Sequence, residues 1–295
     1  MAPFPTVSII FPNHNGGKQP LECLASIAHL SYPKDNIETI IIDNHSTDQS
    51  DGEIKKRFPW VKLIKMQKNV GFAKAINVGI RKSSGEYIFI GNDDIVFDTH
   101  SLANLMEYIT CHTDVGIVGG KIFSKAAPQK ISSCGYMMNT WSGNVYPAPN
   151  PNTLKEPDWV AGCACLMPKN VVQTVGLFDE AFTHFFEDQD LCVRIQQHGY
   201  KVVYVPSAIF WHGESTTSNK NKTEKYYQWY KNKIRFVLKN LSLVHIITIL
   251  TFQTVLIAPY RALLFRDGRF VPFLKGAVWN IRNISATIQA RKKRI

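Results

Sequence analysis

Short apolar runs rich in β-branched residues recur along the front of the chain, and several stop abruptly at polar or acidic residues. Residues 7–11 end in Pro12-Asn13-His14-Asn15-Gly16-Gly17, residues 37–42 in Asp43-Asn44-His45-Ser46-Thr47-Asp48, and residues 87–90 run through Gly91 into Asn92-Asp93-Asp94. Further runs of this kind occupy 61–64, 115–118 and 202–205. Helical patterns separate them: Leu21, Leu24, Ile27 and Ala28; Phe72, Ala75, Ile76 and Ile80; and residues 102–109. Asp48 or Ser46 suits the cap of a helix reaching Phe58. Strands that alternate with helices imply a mainly parallel sheet covered on both faces. Ligands of such sheets bind at the carboxyl ends of the strands.

That rule gives the strand ends their meaning. A strand rich in Ile and Phe belongs inside a sheet, whereas aspartates avoid an apolar interior unless a cation meets them. Asp93 and Asp94 at the sheet edge suit a hard divalent cation, Mg²⁺ or Mn²⁺, whose shell is completed by oxygens including ligand phosphate. Taken alone, the same residues also suit a strand-ending turn with Asp94 near a helix start. An acid after the second strand, here Asp43, commonly hydrogen-bonds a nucleoside. The first turn carries neither G-x-G-x-x-G nor G-x-x-x-x-G-K-[ST], which disfavours dinucleotide cofactors and P-loop chemistry. A nucleoside diphosphate held through a metal fits better.

A second acidic cluster, Phe185-Phe186-Glu187-Asp188-Gln189-Asp190, opens a helix that Gly199 stops. Acids at a helix start ordinarily complement the helix dipole. The functional alternative is a general base within reach of an acceptor hydroxyl. His212, where the chain leaves the last strand, is either structural or a metal or phosphate ligand. Between the two acidic clusters, residues 121–158 hold five prolines and the aromatics Tyr136, Trp141 and Tyr146, an irregular or hairpin-rich excursion of the kind that shapes a cleft.

Charge divides the chain. Its net +11 over 295 residues is uneven: residues 216–295 carry 16 Lys and Arg against 2 acids, whereas residues 1–215 carry 18 against 21. A basic tail can meet nucleic acid or an anionic membrane. The apolar runs interleaved with these cations favour the membrane and disfavour nucleic acid. Residues 223–239 read as a basic helix. Residues 241–259 are uncharged and long enough to span a bilayer, yet polar for that role. Helices lying in the membrane interface are expected beyond them, with a helical cap on the rest of the protein or a homodimer contact as the alternative. The six cysteines form no C-x-x-C pair, which argues against zinc, and residues 1–5 do not read as a signal peptide. A reducing setting is the default.

Taken in order, Asn13 and Asn15, the run from Asp43 to Asp48, Asn69-Val70-Gly71-Phe72, Asn92-Asp93-Asp94, and Glu187-Asp188-Gln189-Asp190-Leu191 with Arg194 and Gly199 resemble the family 2 glycosyltransferases. The similarity covers roughly residues 5–240 and is greatest to a rhamnosyltransferase-like bacterial branch. It implies an α/β fold of the type A glycosyltransferase kind with a C-terminal helical tail. Its divisions would be a catalytic domain over 1–215 (a nucleotide-binding half 1–120 and an acceptor-side half 121–215) and a basic tail over 216–295. It implies inverting transfer of one hexose, rhamnose being one case, from a UDP- or dTDP-linked donor. The acceptor would be a saccharide or lipid-linked saccharide of cell-surface polysaccharide assembly, met at the cytoplasmic face of the inner membrane. By position, Pro12, Asn13, Asn15, Asp43, Asn69, Gly71, Lys74, Asn92 and Asp93 would line the donor site. Asp94 and His212 would hold Mg²⁺ or Mn²⁺, and Asp188, with Glu187 beside it, would be the base. Many members have Asp where this chain has Asn92. A nucleotide-binding protein of the same fold without transferase activity is the alternative.

Overall fold

The computed structural model describes residues 4–213, 222–252 and 268–292, together with Val255 and Tyr260. In chain order the strands are β1 (Val7–Asn13), β2 (Ile37–Asp43), β3 (Lys62–Lys65), β4 (Tyr87–Gly91), β5 (Ile95–Phe97), β6 (Val115–Ser124), β7 (Ile131–Ser133), β8 (Tyr136–Asn139), β9 (Asn144–Pro147), β10 (Ala164–Pro168) and β11 (Lys201–His212). The helices are α1 (Gln19–Ala28), α2 (Ser50–Arg57), α3 (Phe72–Lys82), α4 (Ser101–Cys111), α5 (Lys169–Val175), α6 (Glu187–Gln197), α7 (Lys222–Asn240), α8 (Leu243–Thr251), α9 (Phe270–Arg282) and α10 (Ile284–Lys292).

One sheet in the order β3-β2-β1-β4-β10-β6-β11-β5, with β7 beside β6, forms the centre. Its strands β1, β2, β3, β4, β6 and β11 point the same way, while β5, β7 and β10 oppose them. Alternation along β1 explains the layering. Val7, Ile9 and Phe11 join α1, α2 and α4 in one core, and Ile10 joins α3, α5 and α6 in the other. Both faces are therefore buried, and these strands read as continuous apolar runs.

Two strands are longer than their apolar runs predict, and one escaped the pattern. β6 continues through Gly119 and Gly120 to Ser124, and β11 continues past Pro206 to His212. The two stay paired beyond an irregularity between Val205 and Ile209, where Pro206 supplies no N–H to the ladder. His212 is thus the last residue of β11 rather than a residue after it. Three-residue β5, hidden behind the acids, pairs Ile95 with His212. The proline-rich excursion contains the hairpin β8–β9.

Helix α7 is where expectation and structure differ most. Its cations Lys231, Lys233, Arg235 and Lys239 are buried. Arg235 and Lys239 turn inward onto acids, Asp179 meeting both and Asp190 meeting Lys239 and Asn240, whereas Lys231 reaches Thr183 Oγ1 and the Trp279 ring and Lys233 lies over Trp229. Buried ion pairs therefore cross the division drawn at residue 215. In turn α9 and α10 cover α7, with Asn280 donating to the Lys231 carbonyl and Arg235 to the Thr287 hydroxyl. Among the described residues no helix is long and apolar enough to cross a membrane. Apart from Val255 and Tyr260, the part of the 241–259 stretch beyond 252 and the basic–apolar stretch through Arg266 lie outside the described residues.

Candidate active site

The three strand ends do meet. Asn13 pairs with Asp43 across β1 and β2, and Ile10 with Ile90 across β1 and β4, so the ends carrying Asn13, Asp43 and Asn92 share one edge. Hydrogen bonds lock the first loop to the second. Asn13 Nδ2 donates to Ser50 Oγ at 2.9 Å and lies 3.4 Å from Asp43 Oδ1. Asn15 Oδ1 accepts the Thr47 N–H at 2.7 Å, and Asp48 accepts the N–H groups of Gly17 and Ser50. Asp48 stands one residue before Gln49, the N-cap of α2, and binds Ser50 in its first turn. Ser46 instead accepts from the Asn15 N–H.

A cavity of 320 Å³ opens at this edge. Its walls include Pro12, Asn69, Gly71, Asn92, Asp93 and Asp94, all expected, and His14, Gly16, Asn44, Phe72, Thr183 and His184 besides. Asn13, Asn15, Asp43 and Lys74 are not among its lining residues. The first three build the loops behind it, and Lys74 lies near Glu180 at the surface. Asn44 occupies the wall instead. Its Nδ2 donates to Asn69 and its Oδ1 accepts the Val70 N–H, which orders the 69–71 turn. Gly71 has φ +81°, and a Cβ there would lie 3.2 Å from the Thr183 carbonyl, so the turn needs glycine.

The pairing of β5 with β11 brings His212 onto the acids. Its Nε2 lies 3.0 Å from Asp94 Oδ1 and 3.1 Å from Asn92 Nδ2. Asp94 is buried, and the same Oδ1 has no well-directed hydrogen bond. Burial and the Asp94 carboxylate push Asp93 up to about 7. Two crowded carboxyls, one short of donors, with an imidazole nitrogen at hand, fit an oxygen-and-nitrogen site for a divalent cation. No group of three or more His, Cys, Asp or Glu that could hold a metal occurs among the described residues. Asp94 and His212 are the residues that would contribute to such a shell.

A second cavity, of 560 Å³, adjoins the first. Phe72, Asn92 and His184 line both. Glu187 and Asp188 line it together with the aromatic walls Tyr136, Trp159, Phe185, Phe186 and Trp229. Phe185 and Phe186 both adopt left-handed backbone (φ 70° and 71°) as the chain turns into α6. Such strain in bulky residues persists only where the surroundings enforce it. Asn232 of α7 supplies part of that hold, its Nδ2 donating to the carbonyls of His184 at 2.6 Å and Phe185 at 3.1 Å. Asp188 accepts the Gly162 and Gln189 N–H groups at 2.9 Å each, and a Cβ on residue 162 would meet Asp188 at 2.9 Å. Glu187 Oε2 is buried without a partner. Burial, then the Asp188 charge, pushes Glu187 well above the usual carboxylate range, and burial also raises Asp188. The two N–H donors make Asp188 the better-stabilised anion of the pair.

Deeper along α6, Asp190 and Arg194 form a buried pair, and the Arg194 guanidinium donates to the carbonyls of Val175, Gly176 and Leu177. These residues fix the helix and do not line either cavity. Burial of the imidazole, followed by the nearby Lys225 ammonium, pushes His184 below its usual range. His14, Asn44 and Trp229 escaped sequence reading. The first two sit in recognisable strand-end loops, whereas nothing in the sequence ties Trp229 to Glu187 and Asp188, about forty positions before it.

Comparison with known proteins places this site in a family. The sequence profile of glycosyl transferase family 2 matches residues 8–174, more than half of the chain, and the chain belongs to that family. A probable glycosyltransferase, YdaM, of Bacillus subtilis (strain 168) is 22% identical over 81% of this chain and 56% of its own length. The N-acetylglucosaminyl-diphospho-decaprenol L-rhamnosyltransferase of Mycobacterium tuberculosis (strain ATCC 25618 / H37Rv) is 24% identical over 63% of this chain and 69% of its own. Among solved structures, GalNAc-T7 with UDP, GalNAc and Mn²⁺ superposes with a TM-score of 0.69 at 16% identity, covering 95% of this chain and 58% of that one. Staphylococcus aureus TarS (residues 1–349) gives 0.64 at 16% identity, over 92% and 79%. The chain spans just over half the length of YdaM and of GalNAc-T7. The fold is the type A glycosyltransferase fold.

Proposed function

We propose that this protein moves one hexose, with inversion, from a UDP- or dTDP-linked donor to a saccharide hydroxyl. The observation that carries the reading is the pair of adjoining cavities, each with its own carboxyl pair, sharing Phe72, Asn92 and His184. Asp93 and Asp94 mark the donor side, and Glu187 and Asp188 the acceptor side. A base across the junction from the leaving group suits direct displacement. Asp188, its carboxylate fixed by two N–H donors, accepts the proton of the attacking hydroxyl. Glu187, held protonated, is free to donate a hydrogen bond to a substrate oxygen. Cys163, in the acceptor-side wall, is no nucleophile, because burial and the charges of Asp94 and Asp188 keep its thiol protonated. Asp94 and His212 would hold Mn²⁺ or Mg²⁺, which neutralises charge growing on the departing diphosphate.

The aromatic walls of the larger cavity suit the apolar face of a sugar ring. A lipid-linked acceptor in cell-surface polysaccharide assembly is supported by the activity for which the mycobacterial relative is named. Rhamnosyl transfer draws on the same relative. Peripheral attachment to an anionic membrane is supported by exposed apolar side chains on α8, α9 and α10.

A screen of nucleotide sugars by thermal unfolding tests the reading. A UDP- or dTDP-hexose is expected to raise the melting temperature with Mn²⁺ or Mg²⁺ and not with chelator, and Asp94→Asn is expected to abolish the metal-dependent part. A shift insensitive to both chelator and Asp94→Asn sinks the metal assignment.

A further inference from the structure

A donor diphosphate presents a charge problem in this site. Among the described residues, the donor-side cavity is lined by two carboxyl groups and by no lysine or arginine. Even with a divalent cation present, phosphate oxygens beside Asp93 and Asp94 face repulsion at short range. The bond to be broken must lie where the two cavities meet, so the departing phosphate oxygen lies there too. Of the three side chains common to both cavities, Phe72 is apolar, the Asn92 amide is turned to His212, and His184 offers a ring N–H donor. Lys225, in the first turns of α7, lines the adjoining wall, close enough for its charge to act on His184.

The backbone that presents His184 is fixed from both sides without any ligand. The Thr183 carbonyl packs on Gly71 of the donor loop. On the other side α7 grips the segment: Thr183 Oγ1 donates to Gln228 at 2.9 Å and accepts from Lys231 at 3.2 Å, and Asn232 holds the His184 carbonyl. The imidazole itself leans on the Phe185 ring, 4.1 Å between centroids. The side chain is held across the junction while its ring nitrogens are not needed to build the turn.

We infer that His184 and Lys225 form an anion subsite for the diphosphate of the nucleotide-sugar donor, supplementing the metal at the leaving-group oxygens. This rests on the donor reading above and adds two residues from outside the strand-end motifs. A diphosphate could also arrive as part of a lipid-linked acceptor. Because His184 lines the donor cavity, the donor is the source assigned.

The test uses the full chain and calorimetric binding of UDP, UMP, dTDP and dTMP, each with Mn²⁺, to the wild type, His184→Ala, His184→Gln and Lys225→Met. For whichever base the wild type accepts, His184→Ala and Lys225→Met are expected to weaken the nucleoside diphosphate about tenfold or more, as loss of a hydrogen bond to a charged group does. The monophosphate is expected to change little, and His184→Gln to recover part of the loss. Equal weakening of mono- and diphosphate indicates a distorted pocket and overturns the inference, as does unchanged diphosphate affinity. Weakening confined to farnesyl diphosphate, a probe for the acceptor side, also overturns it. A wild type that binds neither UDP nor dTDP fails at the earlier step, and the donor reading falls together with the subsite.

Discussion

Two groups of acids in this protein, each buried or half-buried, are treated oppositely. Asp179 and Asp190 are met by Arg194, Arg235, Lys239 and Asn240. Among the described residues, Asp93, Asp94, Glu187 and Asp188 make no ion pair with lysine or arginine, and their protein partners are N–H groups and His212. The neutralised group ties α6 to α7. The uncompensated group lines the two cavities. Burying a charge without a partner is unfavourable, so a fold keeps such residues where a ligand, a proton or a cation completes them. The contrast separates structural acid from functional acid within a few residues: Asp188 and Asp190 sit two positions apart on one helix.

The sharpest way to break that contrast is to neutralise one acid from each group. Asp188→Asn is expected to lower turnover by about 10²–10⁴-fold, the usual worth of positioned proton transfer. Donor affinity should be preserved, since Asp188 does not line the donor-side cavity. A loss that follows Glu187→Gln and spares Asp188→Asn would move the base to the neighbour. Lys239→Met is the opposite case. It leaves Asp179 with Arg235 and Asp190 with Arg194, yet removes the cation they share, and is expected to destabilise by about 3 kcal/mol in urea unfolding. A change below about 1 kcal/mol would show that α7 is not the structural partner of α6 described above.

Acid sharpens the same comparison at lower amplitude. Burial alone would raise the Asp179 carboxyl, but Lys239 and Arg235 override it and pull the group from 3.8 down to about 2. A depressed carboxyl contributes stability that is complete above its unfolded value and is lost as pH falls through its folded one. The contribution is therefore full above about pH 4 and fades towards pH 2, and is worth about 2 kcal/mol. Urea midpoints measured between pH 5 and pH 2 should fall less steeply for Asp179→Asn than for the wild type. Identical slopes would remove Asp179 from the acid response.

How far the sequence carried differs between the two groups. The layered fold was legible because alternation along strands such as β1 buries both faces, a local property. The edge where Asn69, Gly71 and Asn92 to Asp94 meet was legible, because strand ends and turns declare themselves in residue type. Asp43, expected in the donor site, lies beside Asn13, and its neighbour Asn44 lines the cavity. β2 alternates its side chains, and the pleat turns Asp43 towards Asn13 and leaves the wall to Asn44. His212 and Asp94 became neighbours through β5, too short for any periodicity to show. The inward turn of α7 was hidden for a different reason. A basic helix looks the same whether its cations face water, lipid or protein, and only tertiary contact with Asp179 and Asp190 decides.

That last point changes what the tail can offer a membrane. The sequence gives residues 216–295 a large cationic excess, but Lys231, Lys233, Arg235 and Lys239 are spent inside the protein. The membrane-facing candidate moves outward to α9, where Val271, Leu274, Val278 and Ile281 are 56, 45, 45 and 72% exposed. Their spacing of three and four residues sets them along one side of the helix, with Lys275 and Arg282 exposed beside them. Each cation near an anionic surface contributes about 1 kcal/mol, which salt screens. Each apolar side chain adds up to about 1.5–3 kcal/mol on full burial, which salt does not remove. The full chain is therefore expected to bind anionic vesicles with an affinity that salt weakens and does not abolish. Leu274→Ser with Ile281→Ser should reduce the salt-resistant part, and Lys275→Gln with Arg282→Gln the salt-sensitive part. Point changes serve better than truncation, because α9 and α10 cover α7 and their removal would strip the helix that holds α6. Vesicle binding that ignores both pairs of substitutions would assign α9 to contact with protein, and the interfacial reading of the tail would fall.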